Sequence, residues 1–156
     1  MIAPFTRLGV EHIGTGYEHR LFLLALLAGY AGFRASARVI SCFTLGQSLT
    51  LALATLDWVN FPARITEPLT AASILYVGVE NLLRRGAEAR GRGALTFGFG
   101  LIHGFGFASV LREIGVGANG SGLALPLFSF NLGVELGQLA IAAVVLPLLW
   151  PLRRWE

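Results

Sequence analysis

Two Glu-His pairs stand seven residues apart near the start of the chain, and an unbroken apolar stretch follows them. Imidazole combined with carboxylate is a ligand set that suits divalent first-row transition metals. An ion that crosses a protein needs several sites of moderate affinity, because one deep site would trap it. We therefore predict a ladder of metal ligands at successive depths, formed by His12, Glu18, His19, His103 and Glu135.

The composition places these groups in a membrane protein. Of the 156 residues, 54% are hydrophobic and 13% charged, whereas soluble proteins normally have about 25% charged residues. The mean hydropathy is +0.67. Apolar runs that approach the ~20 residues of a membrane span occur at 11–33, 38–56, 65–83, 94–112 and 123–150. We predict an all-α polytopic membrane protein, a bundle of about five transmembrane helices in a single membrane domain over residues 1–156.

The first of these runs includes both Glu-His pairs. Its apolar core covers only residues 21–33, which is too short for a span unless the helix also includes the polar segment before it. We therefore predict that both pairs lie within the first membrane helix. A cleaved secretory signal ending at "ASA" (35–37) is the alternative, but two Glu and two His precede the apolar core, where a signal peptide carries net positive charge.

Arginine predicts the orientation, since all twelve Lys and Arg residues are Arg. Eight of them fall at alternate ends of the predicted spans: Arg34, Arg38, Arg84, Arg85, Arg90, Arg92, Arg153 and Arg154. Cytoplasmic loops carry the excess of positive charge, so the N-terminus is predicted outside and the C-terminus in the cytoplasm. We expect a multi-pass protein of the bacterial cytoplasmic (inner) membrane. Its expected partners are the lipid bilayer and other membrane subunits, without nucleic acid.

Further polar residues inside the predicted spans also indicate function, because an ionisable group near the bilayer centre costs roughly 2.5 to 3.5 kcal/mol. These pathway or structural residues are Gln47, Ser48, Glu67, Ser73, Glu80, Asn81, Asn131 and Gln138. The rise per residue along straight helices orders these polar groups by depth in the membrane, from His12 near the outer surface to Glu80 near the inner one. Glycines four apart flank His103 in "GLIHG" and Glu135 in "GVELG", so both faces should pack inside the bundle.

Several of these residues also have a purely structural interpretation. Asn131 and Gln138 are expected mainly as hydrogen-bond partners between helices. His103 is a metal ligand in one interpretation. In the other it is a bundle histidine bonded to Glu135 or Gln47.

Near the predicted cytoplasmic end, Glu80 and Asn81 are expected to cap the helix or to pair with Arg84 or Arg85. The Ser48 hydroxyl is expected to bond back to its own helix, as serine in membrane helices commonly does.

Five ordered motifs carry a resemblance to a known family. They are "GVEHIGTGYEHRLFLLALL", "FTLGQSLTLALATL", "EPLTAASILYVGVENLL", "FGFGLIHGFGFASVL" and "FNLGVELGQL". Together they resemble the HupE/UreJ family of small integral membrane proteins. The resemblance implies a permease for nickel, or for cobalt, associated with hydrogenase and urease gene clusters. It also implies that the metal-handling positions are His12, His19, His103, Glu135 and Gln138.

The chain departs from that family pattern at two positions. Where the family usually has Gly-x-Asp-His, this chain has Gly16, Tyr17, Glu18 and His19. Where the family usually has Phe-Thr-x-x-His-Ser, Gln47 replaces the histidine. The second change removes an imidazole and leaves a weaker amide ligand.

Three classes of function remain open at this level. The first is a permease or channel for a divalent transition metal, nickel above all, in which the ion passes from His12 and His19 to His103 and leaves beside Glu80. The second is an auxiliary subunit of a larger membrane complex that does not transport. The third is an intramembrane enzyme or haem protein with His19 and His103 as ligands, although we do not expect an enzyme. A P-loop is absent from the sequence, so uphill transport would need a gradient or a partner.

Overall fold

Six α-helices and no strand make up the described part of the computed structural model, which covers residues 2–30, 32–59, 61–83, 91–113 and 124–153. The helices are α1 (Ile2–Thr15), α2 (Tyr17–Ala28), α3 (Phe33–Thr55), α4 (Ala63–Leu83), α5 (Arg92–Glu113) and α6 (Ala124–Arg153). The helices α3 to α6 correspond to the last four predicted runs. The prediction of an all-α protein is confirmed.

The predicted first helix, 11–33, is instead divided into two. Gly16 lies between α1 and α2 with φ −73° and ψ 96°, an extended conformation. The Gly16 amide still donates to the His12 carbonyl at 2.7 Å, and the Arg20 amide donates to the Gly16 carbonyl at 3.1 Å. The chain therefore bends there without losing these backbone hydrogen bonds. Gly16 forms the bend and Gly14 lies two residues before it, and glycine in a helix interior costs about 1 kcal/mol relative to alanine.

Two pairs of helices pack backbone to backbone. Along most of their lengths α3 lies against α5 and α1 against α6, while α3 also contacts α6 and α4 contacts both α2 and α5. A Cβ atom on Gly100 of α5 would collide with the Phe43 carbonyl of α3, and one on Gly133 of α6 would collide with the Thr6 carbonyl of α1. Small residues thus permit the close approach, as they do between membrane helices.

Three apolar clusters fill the space between the helices. One joins α1, α3 and α6 through Ile13, Leu51, Ala54, Leu127, Phe130 and Val134. The second joins α2, α3 and α4 through Phe22, Leu26, Tyr30, Val39, Phe43 and Val77. The third joins α2, α3 and α6 through Leu23, Leu27, Ile40 and Ala142. α3 contributes to all three clusters and is the central helix of the bundle.

Two helical segments are long and apolar enough to cross a bilayer, Phe33–Thr55 and Leu125–Leu149, among the residues that the structure describes. α1 and α2 have 14 and 12 residues, and each alone is shorter than the ~20 residues that a span needs.

Candidate functional site

The bend at Gly16 positions the first two candidate ligands. His12 lies in the last turn of α1 and His19 in the first turn of α2, so both face the discontinuity. A Cβ atom on Gly16 would lie 2.9 Å from the His12 carbonyl oxygen and 3.0 Å from His12 Nε2. The absence of a side chain at Gly16 therefore leaves the space that the His12 imidazole occupies.

Three imidazole rings form a chain through the interior. The ring centroids of His12 and His19 are 5.2 Å apart, and those of His19 and His103 are 5.0 Å apart. In both pairs the rings meet edge to face. Phe43 lies beside this chain, with its ring centroid 6.2 Å from that of His19 and 5.1 Å from that of His103. His19 and His103 are both buried. The structure therefore brings together all three histidines of the sequence.

His103, on α5, has a hydrogen-bond partner on α4, a contact that the sequence did not predict. His103 Nε2 lies 2.9 Å from Ser73 Oγ on α4, and the Ser73 hydroxyl donates to the Thr70 carbonyl at 2.7 Å. The expectation that His103 is bonded to Glu135 or Gln47 is thus wrong. Ser73 carries this contact because α4 packs along α5 at this level.

Gln47 is buried on α3, and its backbone packs against α5 beside Gly104. Its side chain has 0% exposure, and neither Nε2 nor Oε1 has a hydrogen-bond partner. A Cβ atom on Gly104, the residue after His103, would lie 2.7 Å from the Gln47 carbonyl oxygen. A buried polar group without a partner costs about 1 to 3 kcal/mol. A stabilising role therefore does not explain why an amide side chain occupies position 47.

Three carboxylates of the predicted first and third spans lie toward the surface. Glu11 is exposed and accepts a hydrogen bond of 2.7 Å from Arg7 Nε, one turn earlier on α1. Glu18 is half-buried in the first turn of α2, and Glu67 is exposed on α4. Glu18 is the only one of the three that adjoins a buried histidine in the sequence.

Glu135 is directed to a different side of the bundle from the histidines. It accepts a hydrogen bond of 2.6 Å from Ser41 Oγ on α3. Ser41 and Phe43 are two residues apart on a helix and so point to nearly opposite sides of it, and Phe43 is the residue that contacts the histidines. Within the described residues, no three His, Cys, Asp or Glu side chains come close enough to hold one metal ion.

The remaining polar residues of α3 and α6 bond locally or across the helix contact. Gln138 Oε1 accepts a hydrogen bond of 3.2 Å from Thr44 Oγ1, which confirms an interhelical role for Gln138. Asn131 differs, because its Nδ2 donates to the Leu127 carbonyl of its own helix at 3.0 Å. Ser48 donates to the Thr44 carbonyl at 2.6 Å, as predicted.

A second buried polar cluster, which we call the Arg92 cluster, surrounds that arginine at the start of α5. Arg92 is 7% exposed. Its Nε lies 3.4 Å from Glu80 Oε2, its Nη1 donates to the Gly29 carbonyl at 3.2 Å, and its Nη2 donates to Asn81 Oδ1. The guanidinium also lies 5.1 Å from the centre of the Tyr30 ring. The two charged residues of this cluster, Arg92 and Glu80, are paired with each other.

The Arg92 cluster contains two residues for which other partners were predicted. Glu80 and Asn81 were expected to pair with Arg84 or Arg85, and these two arginines lie outside the described residues. Asn81 Nδ2 also donates to the Ala25 carbonyl. The cluster therefore ties together the ends of α2 and α4 and the beginning of α5.

The amino-acid sequence matches one known protein family. A family model described as "HupE / UreJ protein" matches residues 1–156, the whole chain. The chain belongs to the HupE/UreJ family. No match was found among curated proteins or among solved structures. The resemblance carried by the five motifs is thereby confirmed.

Membership of the HupE/UreJ family implies a nickel or cobalt accessory or transport role. The family consists of transporters and accessory proteins rather than enzymes, and it is membrane-associated. The contact between His19 and His103 agrees poorly with the haem hypothesis for this HupE/UreJ protein. Their rings meet edge to face at 5.0 Å, so the two rings do not flank the plane of a porphyrin as axial ligands would.

Proposed function

We propose that the chain is a multi-pass permease for a divalent transition-metal ion, nickel or cobalt, and that the ion passes along the three histidines. The observation that carries the proposal is the chain of imidazole rings from His12 through His19 to His103, with steps of 5.2 and 5.0 Å between centroids. Imidazole nitrogen is a favoured ligand of these ions. Three histidine positions in series, with no carboxylate cage around them among the described residues, provide sites that an ion can both enter and leave.

The discontinuity between α1 and α2 supports the same route. Secondary transporters commonly form ion sites where a membrane helix is broken near mid-depth, because the helix ends there expose polar backbone groups and reorient side chains. Here the break lies at Gly16, and candidate ligands occupy the turns on both sides of it, His12 before and His19 after. In this topology α1 and α2 together form one span.

A five-span arrangement accounts for the outward faces of the helices. Large apolar side chains are exposed there, among them Leu45 at 63%, Leu75 at 69% and Phe128 at 66%. A surface of this kind needs lipid or a partner to cover it. We propose that α1 with α2, α3, α4, α5 and α6 each cross the membrane, with the N-terminus outside and the arginine-rich ends in the cytoplasm.

The inner end of the path is closed in this arrangement. Glu80, beside which the ion is proposed to leave, is paired with Arg92. Release of the ion therefore requires the Arg92 cluster to open. The chain has no lysine and no P-loop, so we propose that an ion gradient, the membrane potential or a partner supplies the energy.

Exchange of His19 for phenylalanine tests the proposal. His19→Phe keeps an aromatic ring against Phe43 and removes both ring nitrogens, so the protein should fold while Ni²⁺ uptake into vesicles containing the purified protein falls to the level of empty vesicles. Leu24→Ala, on the exposed face of the same helix, is the matched control and should transport normally. Uptake that survives in His19→Phe at the wild-type rate would rule out the histidine path.

A non-transporting accessory subunit is the second candidate. It is favoured by the finding that the described residues contain no group of three side chains able to hold a metal ion. A protein of this kind would co-purify from native membranes with a partner in fixed stoichiometry and would give no uptake on its own. Uptake by the isolated chain would exclude a purely accessory role.

A further inference from the structure

The hydrogen bonds around His103 determine which of its two ring nitrogens carries the proton. The Ser73 hydroxyl has one hydrogen, and it donates this hydrogen to the Thr70 carbonyl at 2.7 Å. It has none left for His103 Nε2, which lies 2.9 Å away. With that hydrogen on the Thr70 carbonyl, the shorter of the two contacts, His103 Nε2 is the donor to Ser73 and carries the ring hydrogen. In a neutral imidazole the other nitrogen, Nδ1, is then a bare acceptor.

His103 Nδ1 has the properties of an ion-facing atom. It is buried and has no hydrogen-bond partner. The two ring nitrogens point in divergent directions, so Nδ1 is turned away from Ser73 and α4. On its α3 side the ring adjoins Phe43, at 5.1 Å between centroids, and Gln47 follows Phe43 one turn later on the same face of α3. The amide of Gln47 is also buried without a partner.

We propose that Ser73 is a positioning residue that fixes the Nε2–H tautomer of His103, so that Nδ1 is the atom which binds the passing ion. Histidine ligands of metals commonly donate the second ring N–H to an outer acceptor, which sets the tautomer and orients the ring. Ser73, itself fixed by the Thr70 carbonyl, provides that acceptor from a different helix. The inference rests on the proposed histidine path and adds to it the identity of the ligand atom.

Nitrogen-15 NMR of the ring nitrogens tests the tautomer directly. The experiment uses the full-length protein in lipid bilayers, with histidine labelled in the ring, and identifies His103 by its loss in His103→Gln. We expect Nε2 to be protonated and Nδ1 to be bare in the wild type. Addition of Co²⁺ should then broaden the Nδ1 signal first. A wild-type spectrum with a protonated Nδ1 would overturn the proposal.

Two variants of Ser73 separate positioning from packing. Ser73→Ala should leave His103 as a mixture of both tautomers and raise the Co²⁺ concentration for half-maximal broadening about 10- to 100-fold, as loss of an outer-shell partner does in metal sites. Ser73→Thr keeps the hydroxyl and should restore the single tautomer and the wild-type concentration. A single Nε2–H tautomer in Ser73→Ala would show that Ser73 does not set it.

The outcome for the tautomer and that for transport can be distinguished. If His19→Phe abolishes uptake while His103 has the opposite tautomer, the permease stands and the role of Ser73 falls. If the tautomer is as expected but the protein gives no uptake and Co²⁺ has no effect on either nitrogen, the proposed function fails and His103 is a structural histidine.

Discussion

The Arg92 cluster and the histidine path are both polar and buried, but they differ in how far their groups are satisfied. Arg92 has partners on three sides, in Glu80, Asn81 and the Gly29 carbonyl. Along the path, His103 Nδ1 and both side-chain atoms of Gln47 are buried without a hydrogen-bond partner. Burial of a polar group destabilises the folded state when the group has no hydrogen-bond partner and costs little when it has one. The Arg92 cluster therefore acts as a clamp between α2, α4 and α5, whereas His103 and Gln47 have unpartnered ligand atoms, as the proposed passage of an ion requires.

The largest expected effect comes from breaking the clamp. Arg92→Met removes the buried guanidinium that contacts Glu80, Asn81 and the Gly29 carbonyl, and removal of one partner of a buried ion pair typically costs about 3 to 5 kcal/mol. The free energy of unfolding in detergent micelles should fall by that amount. Arg38→Met, at an exposed arginine of α3, is the control and should change stability little. Equal effects from the two substitutions would contradict a special role for Arg92.

A smaller effect is expected where close packing holds the path together. Gly100→Ala puts a methyl group against the Phe43 carbonyl, so α3 and α5 must separate, at a cost of about 1 to 3 kcal/mol. Ni²⁺ uptake should fall as well, because His103 moves with α5. Gly98→Ala is the matched control, since no atom lies within 4 Å of its added Cβ. If thermal unfolding and uptake respond equally to both, backbone contact does not support the path.

The smallest expected change has the opposite sign. Gln47→Leu replaces an unpartnered buried amide with an apolar side chain, which should stabilise the protein by about 1 kcal/mol while it lowers uptake. Gln138→Leu makes the same exchange at a glutamine that accepts a hydrogen bond from Thr44, and it should destabilise. Loss of stability in Gln47→Leu, measured by the same unfolding assay, would mean that Gln47 belongs with the clamp.

The positions of the helices were largely predictable from the sequence, because apolar runs of span length and the glycine spacing are local properties. The runs at 38–56, 65–83, 94–112 and 123–150 correspond to α3 to α6. The break at Gly16 was not predicted, since the need for a long first span suggested that a single helix continued through it. The glycines at 14 and 16 were the signal that could have revealed it.

The residue types of the candidate site could be predicted from the sequence, but which of these residues lie together could not. All three histidines were identified, and the structure brings them together. Glu135 was expected beside them, but its contact with Ser41 places it on another side of α3. Sequence spacing gives the depth of a residue in a span, whereas the rotation of each helix about its axis depends on packing against its neighbours. The contacts of Ser73 with His103 and of Arg92 with Glu80 depend on that rotation and were missed for the same reason.

If an ion crosses as we propose, the single residue between α1 and α2 also sets the distance between its first two ligands. Seven residues of straight α-helix advance by about 10 Å, a gap that a partly dehydrated cation could not cross without water in between. At the bend the rings of His12 and His19 are 5.2 Å apart, close enough for one ligand to be gained before the other is lost. Two histidines seven residues apart, which a straight helix would separate, are thus adjacent, and the proposed path needs no intermediate ligand between them.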